Sequence, residues 1–239
     1  AVLVSHQWTS DGQKICIIYA DGAVIVGSVD GNRLWGKELD FGLRNVVWSP
    51  DGRRILFVTT AGEVLIYDAQ GKRLRAMVLP EGAETPPTDG PDGTSSTASQ
   101  AEEKDDDEDL DDESEVGAKY SRVRPCGKGR GKGHVVSVDW YDGVEGLIHP
   151  RVPTLCIALE GGTVQLCRGT EDTAPTVVDA SLAIRQVRWN TNGTVLALSG
   201  SARAHMGKTK QTRDLSVVKL YSPYGVALRA LKVRQTPFP

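Results

Sequence analysis

Residues 8–29 read WTSDGQKICIIYADGAVIVGSV, and residues 48–67 read WSPDGRRILFVTTAGEVLIY. Both stretches contain a tryptophan followed by a turn, an apolar run, a second turn with a glycine and a second apolar run. The tryptophan and the second glycine are 14 residues apart in each copy, so the two stretches share one register. A motif repeated with fixed internal spacing is typical of a repeat architecture.

The same order of features begins twice more, at Trp140 and at Trp189. The spacing is 40 residues from Trp8 to Trp48 and 49 residues from Trp140 to Trp189. A period near 40 with four short strands per repeat indicates blades of a β-propeller. An unrelated all-β sandwich with evenly spaced turns is the alternative. The predicted structural repeat positions are Trp8, Asp11, Gly12, Gly22, Trp48, Asp51, Gly52, Gly62, Trp140, Asp142, Gly143, Gly162, Trp189, Asn192 and Gly193.

These residue types suit the structure that the repeat predicts. Asp-Gly and Asn-Gly dipeptides supply the positive φ values of a tight hairpin. We therefore expect valine at Gly22 or Gly52 to destabilise its blade by roughly 1–3 kcal/mol. Propeller strands are covered on both faces by neighbouring blades, so their sequences are nearly continuous apolar runs. Each repeat tryptophan is accordingly predicted to pack between blades rather than to bind a ligand.

The fold class predicted is all-β: a β-propeller fragment of about four WD-like blades with a long disordered acidic insertion. Residues 1–80 hold two blades, 81–134 the insertion, and 135–239 two further blades. The insertion has 15 acidic and 7 basic residues, a formal charge of −8. Because it has little apolar content to bury, we expect it to loop out between blades.

Charge within the insertion is segregated. Residues 102–115 contain eleven acidic side chains and one lysine, and residues 119–132 form a basic, glycine-rich strip. The acidic run could dock a basic partner and the strip could contact nucleic acid. Tyr120 is the one aromatic residue beside the strip, which gives little support for stacking on bases. A solvated loop whose halves partly neutralise each other is the simpler interpretation.

Cysteine and histidine spacing predicts no metal site, cofactor site or disulfide framework. Cys16, Cys126, Cys156 and Cys167 form no C-x-x-C pair, and no histidine stands at ligand spacing. Buried, reduced thiols are expected instead. The Asn192-Gly193-Thr194 sequon coincides with a predicted hairpin turn, which we prefer to glycosylation as its explanation. No apolar run approaches the roughly 20 residues of a membrane-spanning helix.

Some propellers host enzymes, but this sequence carries no catalytic motif that would indicate one. The sequence has no G-x-S-x-G or H-E-x-x-H motif. Gly207-Lys208-Thr209 resembles the end of a phosphate loop, but Ala202 stands where its first glycine is required. We predict instead a long hairpin loop from 201 to 213 with a basic tip.

The stretch from Asp11 to Leu39 resembles the amino-terminal WD-repeat β-propeller found in subunits of intraflagellar transport complex A. Similar stretches follow in the same order at 139–146, 186–190 and 220–225. The resemblance covers nearly everything outside residues 81–134. The acidic insertion departs from the family pattern, and Tyr67-Asp68 is the one pair standing where a Trp-Asp pair would be expected.

The resemblance implies a non-catalytic scaffold in retrograde ciliary transport, ciliary membrane-protein entry and cilium assembly. The implied partners are other subunits of the complex and possible ciliary cargo, with no nucleic acid and no membrane span. The implied locations are the cytoplasm and the cilium or flagellum, including axoneme and basal body. Residues 48–57 also resemble TolB-like and peptidase-associated propellers, which is the main alternative. A chromatin- or RNA-associated propeller using the basic strip is a third possibility.

Overall fold

The computed structural model describes residues 2–79, 133–143, 149–205 and 212–233. The predictions for the acidic run and the basic strip fall outside these residues, as do Cys126 and Gly207-Lys208-Thr209 with its basic tip. Within the described ranges every regular element is a β-strand. No helix in those ranges is long and apolar enough to cross a membrane.

In the described part of the chain, sixteen strands form four antiparallel sheets, and each sheet uses four consecutive strands in chain order. Blade 1 contains β1 (Leu3–Trp8), β2 (Lys14–Tyr19), β3 (Ala23–Ser28) and β4 (Arg33–Glu38). Blade 2 contains β5 (Leu43–Trp48), β6 (Arg54–Thr59), β7 (Val64–Asp68) and β8 (Arg73–Ala76). Blade 3 contains β9 (Val135–Trp140), β10 (Leu155–Leu159), β11 (Thr163–Cys167) and β12 (Thr176–Asp179). Blade 4 contains β13 (Ala183–Trp189), β14 (Leu196–His205), β15 (Thr212–Tyr221) and β16 (Ala227–Lys232).

The first strand of each sheet forms the inner edge of the fold. β1 lies against β5, β5 against β9, and β9 against β13. The sheets therefore radiate from a common inner edge toward the outer strands β4, β8, β12 and β16. This arrangement confirms the predicted β-propeller fragment of four blades.

Three hydrophobic cores lie between neighbouring blades rather than within them. In β6, Ile55 and Phe57 pack toward blade 1, while Leu56 and Val58 pack toward blade 3. Successive side chains of a strand point to opposite faces, so one continuous apolar run supplies both cores. This explains why the sequence shows apolar runs instead of alternation.

The connection to the next blade crosses directly over the second turn. Leu39 donates its backbone N–H to the Gly22 carbonyl at 3.0 Å, and Ala180 donates to the Gly162 carbonyl at 2.9 Å. The repeat glycines have positive φ in every copy that the structure describes: Gly12, Gly22, Gly52, Gly62, Gly143, Gly162 and Gly193. The second turn therefore both reverses the chain and supports the connection to the next blade.

Blade 4 differs from the prediction. Instead of a loop from 201 to 213, β14 extends to His205 and β15 begins at Thr212, with residues 201–205 paired to 212–216. The segment lacks an apolar period, so no local pattern indicated strands there. Backbone pairing continues there because ladder hydrogen bonds do not depend on apolar side chains.

Blade 3 begins and turns differently from the other blades. Gly133 and His134 fall at the end of the predicted insertion, yet the His134 carbonyl accepts a hydrogen bond from the Glu160 N–H at 2.8 Å. After β9, Tyr141 donates its N–H to the Thr154 carbonyl at 2.9 Å. A longer connection thus replaces the tight first turn of blades 1 and 2.

Candidate functional site

The first turn of blades 1 and 2 is closed by a hydroxyl directly after the tryptophan. Thr9 donates its hydroxyl to the Asp11 carboxylate at 2.6 Å and accepts the Lys14 N–H at 3.0 Å. Ser49 and Asp51 repeat the first contact at 2.5 Å. The hydrogen bond from Thr9 holds the pKa of the Asp11 carboxyl below its usual value. These two residue positions cooperate to fix the hairpin.

The fourth copy reaches the same geometry with an amide. The Asn190 Oδ1 accepts the Val195 N–H at 2.9 Å. The residue after each tryptophan was not among the predicted repeat positions. Its signal was present in the sequence, since Thr9, Ser49 and Asn190 can all accept a hydrogen bond from a backbone N–H. Tyr141 stands at this position in blade 3, which is the copy without a tight turn.

The four repeat tryptophans occupy unequal environments. Trp48 is only 3% exposed and belongs to the core between blades 1 and 2, whereas Trp8 is 45% exposed. Trp140 and Trp189 are half-buried against their cores. The described residues place no blade on the side of Trp8, so the expectation that each tryptophan packs between blades stays a prediction for Trp8.

A polar side chain just before the tryptophan joins two pairs of blades. Gln7 of blade 1 accepts the backbone N–H of Trp48 at 2.7 Å through its Oε1. Asp139 of blade 3 accepts the backbone N–H of Trp189 at 2.7 Å in the same way. Val47 occupies this position in blade 2 and is buried in the next core. A side-chain hydrogen bond from this position therefore links blade 1 to blade 2 and blade 3 to blade 4. The apolar Val47 makes no such bond between blades 2 and 3.

Asp139 is the most consequential of these polar groups because it places a carboxylate in a largely buried site. Burial raises the pKa of Asp139 above its usual value, although the Trp189 N–H and the Arg188 guanidinium, 3.0 Å away, oppose the shift. A native pKa above the unfolded value means that ionisation lowers stability as pH rises through that interval. The amide of asparagine would keep the acceptor without this cost.

We expect Asp139→Leu to lower the free energy of unfolding by about 1–3 kcal/mol, because the Trp189 N–H loses its acceptor between blades 3 and 4. Asp139→Asn should stay within about 1 kcal/mol of the unchanged protein, since it gives up only an ion pair with an exposed arginine. Urea unfolding of the three proteins at neutral pH measures both effects. Equal losses for leucine and asparagine would contradict a role as acceptor. As pH rises from about 4, Asp139 ionises and the unchanged protein loses stability, whereas Asp139→Asn does not. The free energy of unfolding of Asp139→Asn should therefore rise relative to that of the unchanged protein.

The junction of blades 2 and 3 is instead joined by charged side chains at its surface. Glu171 lies 3.0 Å from both Arg54 and Arg75, and these arginines also hydrogen-bond to Thr170. A groove of about 610 Å³ opens beside this cluster, with Trp140 in its lining. Arg168, also in the groove, is paired with Asp172 at 2.6 Å. The charges of the groove are thus compensated within it.

The three cysteines in the described residues are free and fully buried: Cys16, Cys156 and Cys167. Burial raises the pKa of Cys16 and of Cys167 to about 12. The prediction of buried, unpaired thiols is confirmed for these three. A thiol with such a pKa holds almost no nucleophilic thiolate at neutral pH.

We expect the three buried thiols to resist modification in the folded protein. A Cys126→Ser variant leaves only Cys16, Cys156 and Cys167. Treated with Ellman's reagent at pH 8, it should release no chromophore until denaturant is added, and then three equivalents. Rapid release from the native variant would show that the blades open far more readily than their packing implies.

No group of three histidine, cysteine or acidic side chains close enough to hold a metal occurs among the described residues. The repeat positions that the structure brings together are the residues of each turn and the buried Trp48. Those turns stand on separate blades. Asp11 and Asp51 each accept a hydroxyl and a backbone N–H of their own turn, and Asn192 accepts from side chains of its own turn.

Comparison with known proteins identifies the family to which the chain belongs. A family model described as "WDR35/TULP4 N-terminal" matches residues 1–102 and 110–238. The chain is 33% identical to WD repeat-containing protein 35 of Homo sapiens and of Mus musculus, with 98% of the chain aligned in each case. It spans 16% of the length of these relatives. Among solved structures, Raptor of Chaetomium thermophilum has a similar fold at a TM-score of 0.58 and 13% identity, which covers 98% of the chain and 16% of Raptor. The chain therefore belongs to the family of amino-terminal WD-repeat β-propellers typified by WDR35 and TULP4.

Proposed function

We propose that the chain is a non-catalytic protein-interaction propeller of an intraflagellar transport complex A subunit. The observation that carries this proposal is the 33% identity to WD repeat-containing protein 35 along 98% of the chain. The proposed role is scaffolding in retrograde ciliary transport, in entry of ciliary membrane proteins and in cilium assembly. The proposed locations are the cytoplasm and the cilium, including axoneme and basal body.

The construction of the blades supports a scaffold. The four sheets bury their apolar side chains in the three cores between blades, and their turn residues are occupied in closing hairpins. Such an array offers rigid strand edges and loops, which are the surfaces that propellers present to partners. The proposed partners are other subunits of the same complex and possible ciliary cargo, with neither nucleic acid nor a cofactor.

Affinity purification from ciliated cells tests the proposal. The full-length protein, tagged and expressed at its normal level, should recover other subunits of intraflagellar transport complex A. An unrelated tagged β-propeller of similar abundance serves as the control bait. Failure to recover any subunit of the complex, with the bait folded and at its normal level, would refute the assignment.

The TolB-like or peptidase-associated alternative is motivated by residues 48–57 alone. That stretch lies wholly within the residues that the family model matches. A peptidase parent would supply a serine nucleophile in a separate domain. Labelling of the full-length protein by a fluorophosphonate probe would favour the alternative, and lack of labelling together with recovery of the transport complex would exclude it.

A further inference from the structure

All four inner strands carry a β-bulge at the same repeat position, four residues before the tryptophan. In each strand the pairing register shifts across this residue, between Leu43 and Asn45 in β5 and between Ile184 and Gln186 in β13. The corresponding shifts in β1 and β9 occur around Val4 and Val136. A bulge leaves its extra residue unpaired and redirects its side chain. We call these four residues the bulge row: Val4, Arg44, Val136 and Arg185.

The two arginines of the bulge row are exposed and unpaired. Arg44 is the one exposed residue of β5, whose other side chains are buried or half-buried. Arg185 is likewise exposed in β13. Neither takes part in an ion pair or side-chain hydrogen bond within the ranges that the structure describes. By contrast, Arg54 and Arg75 at the junction of blades 2 and 3 are both ion-paired with Glu171.

The order of side chains along the row constrains its ligand. Arg44 and Arg185 stand on blades 2 and 4, and the half-buried Val136 of blade 3 lies between them. Because β9 of blade 3 stands between β5 and β13, a ligand extended along the row meets Val136 between the two arginines. An extended chain with acidic groups on either side of an apolar one matches the row in charge and in the order of its side chains.

We propose that the bulge row binds an extended acidic segment of a partner protein. Its carboxylates pair with the guanidinium groups of Arg44 and Arg185, which offer planar, two-pronged donors suited to carboxylates. An apolar side chain of the segment lies on Val136. Arg188 on the same strand as Arg185 is 63% exposed, but it is paired with Asp139, so the positive charge of the row comes from Arg44 and Arg185. The inner edge of the sheets thereby becomes a docking surface.

A protein segment fits this surface better than nucleic acid does. The bulge row alternates valine with arginine and offers no aromatic face for base stacking. Outside residues 81–134 the chain has a formal charge of +5, which is modest for a surface that must neutralise a phosphate backbone. Two isolated arginines match a few spaced carboxylates.

Fluorescence anisotropy with the full-length protein tests this proposal. The probe is a fluorescein-labelled peptide of alternating glutamate and valine, and the comparison probe has lysine in place of glutamate. We expect binding of the acidic probe only, weakened by added salt. Arg44→Glu and Arg185→Glu should each weaken binding by about fivefold or more, which corresponds to the loss of one well-placed exposed ion pair. The double variant should lose about 25-fold, since the two positions are far enough apart for additive effects.

Arg33→Glu is the matched control, because Arg33 is an exposed arginine on β4, the outer strand of blade 1. It makes the same charge change and should alter the affinity by less than about twofold. Arg44→Lys should retain most of the binding, and Arg44→Gln replaces the glutamate variant if charge reversal disturbs folding. Unchanged binding by the double variant, equal weakening by Arg33→Glu, or no binding of the acidic probe at millimolar protein would each overturn the proposal. Stronger competition by inositol hexakisphosphate or oligothymidylate than by unlabelled acidic peptide would also overturn it, in favour of a phosphate ligand.

Discussion

Gly22→Ala should destabilise blade 1 by about 2–5 kcal/mol. A Cβ at Gly22 would lie 2.2 Å from the Leu39 carbonyl oxygen and 2.7 Å from that of Phe41, and the residue has a φ of +92°. The left-handed conformation costs an L-residue roughly 1–2 kcal/mol. Forcing the connection away from its position adds about 1–3 kcal/mol, as overpacking of a close contact does. Urea unfolding monitored by tryptophan fluorescence measures the loss.

Gly12→Ala is the control for backbone strain alone. Gly12 has a φ of +68°, and nothing lies within 4 Å of a Cβ built there. We expect it to cost only the conformational part, about 1–2 kcal/mol. Similar losses for the two variants would show that the connection between blades yields easily. The loss of about 1–3 kcal/mol expected from the sequence for valine at Gly22 or Gly52 considered backbone conformation alone. The structure adds a steric clash with the blade connection at Gly22. It adds none at Gly52, where a Cβ meets just the Thr9 side chain at 3.5 Å.

The sequence predicted the blades well because hairpin chemistry is local. An Asp-Gly or Asn-Gly dipeptide indicates a tight turn wherever it stands between apolar runs, so the strands of blades 1 and 2 could be placed from a few neighbouring residues. The same reasoning was misleading between 201 and 213. There the strands are held by pairing with each other, and their side chains show no period for a local pattern to detect.

Contacts between blades were less predictable because they depend on residues far apart in the chain. Gln7 and Asp139 both precede a repeat tryptophan, but each bonds the tryptophan of the next blade, 41 and 50 residues away. Their common position would have been a usable signal. The bulge row has no such signal, since valine and arginine share no chemical property that would mark a bulge, and pairing register is visible only in the folded sheets.

The four repeat tryptophans illustrate the same limit. Their identical place in the motif predicted identical packing, yet the exposed fraction is 3% for Trp48 and 45% for Trp8. The difference arises from the neighbouring sheet. Trp48 packs against blade 1, with its indole N–H donated to the Gln7 carbonyl at 3.1 Å.

Trp48→Ala should therefore lower the free energy of unfolding by about 3–5 kcal/mol, the usual cost of removing a large buried aromatic side chain. The substitution empties part of the core between blades 1 and 2, where Cys16, Leu43 and Phe57 also pack. Thermal and urea unfolding both measure the loss. Exchange of backbone amides in β2 and β6 should accelerate as well, because both strands contribute side chains to that core.

Trp8→Ala provides the comparison at the same position of the motif. It removes an equal side chain whose surface is nearly half exposed in the described part of the chain, so we expect less than half the loss caused by Trp48→Ala. If the two variants lose equal stability in the full-length protein, then Trp8 is covered there as completely as Trp48. That result would mean that a further surface packs against the face of blade 1 that carries Trp8. The burial of a repeat tryptophan would then be set by the adjacent blade rather than by its place in the motif.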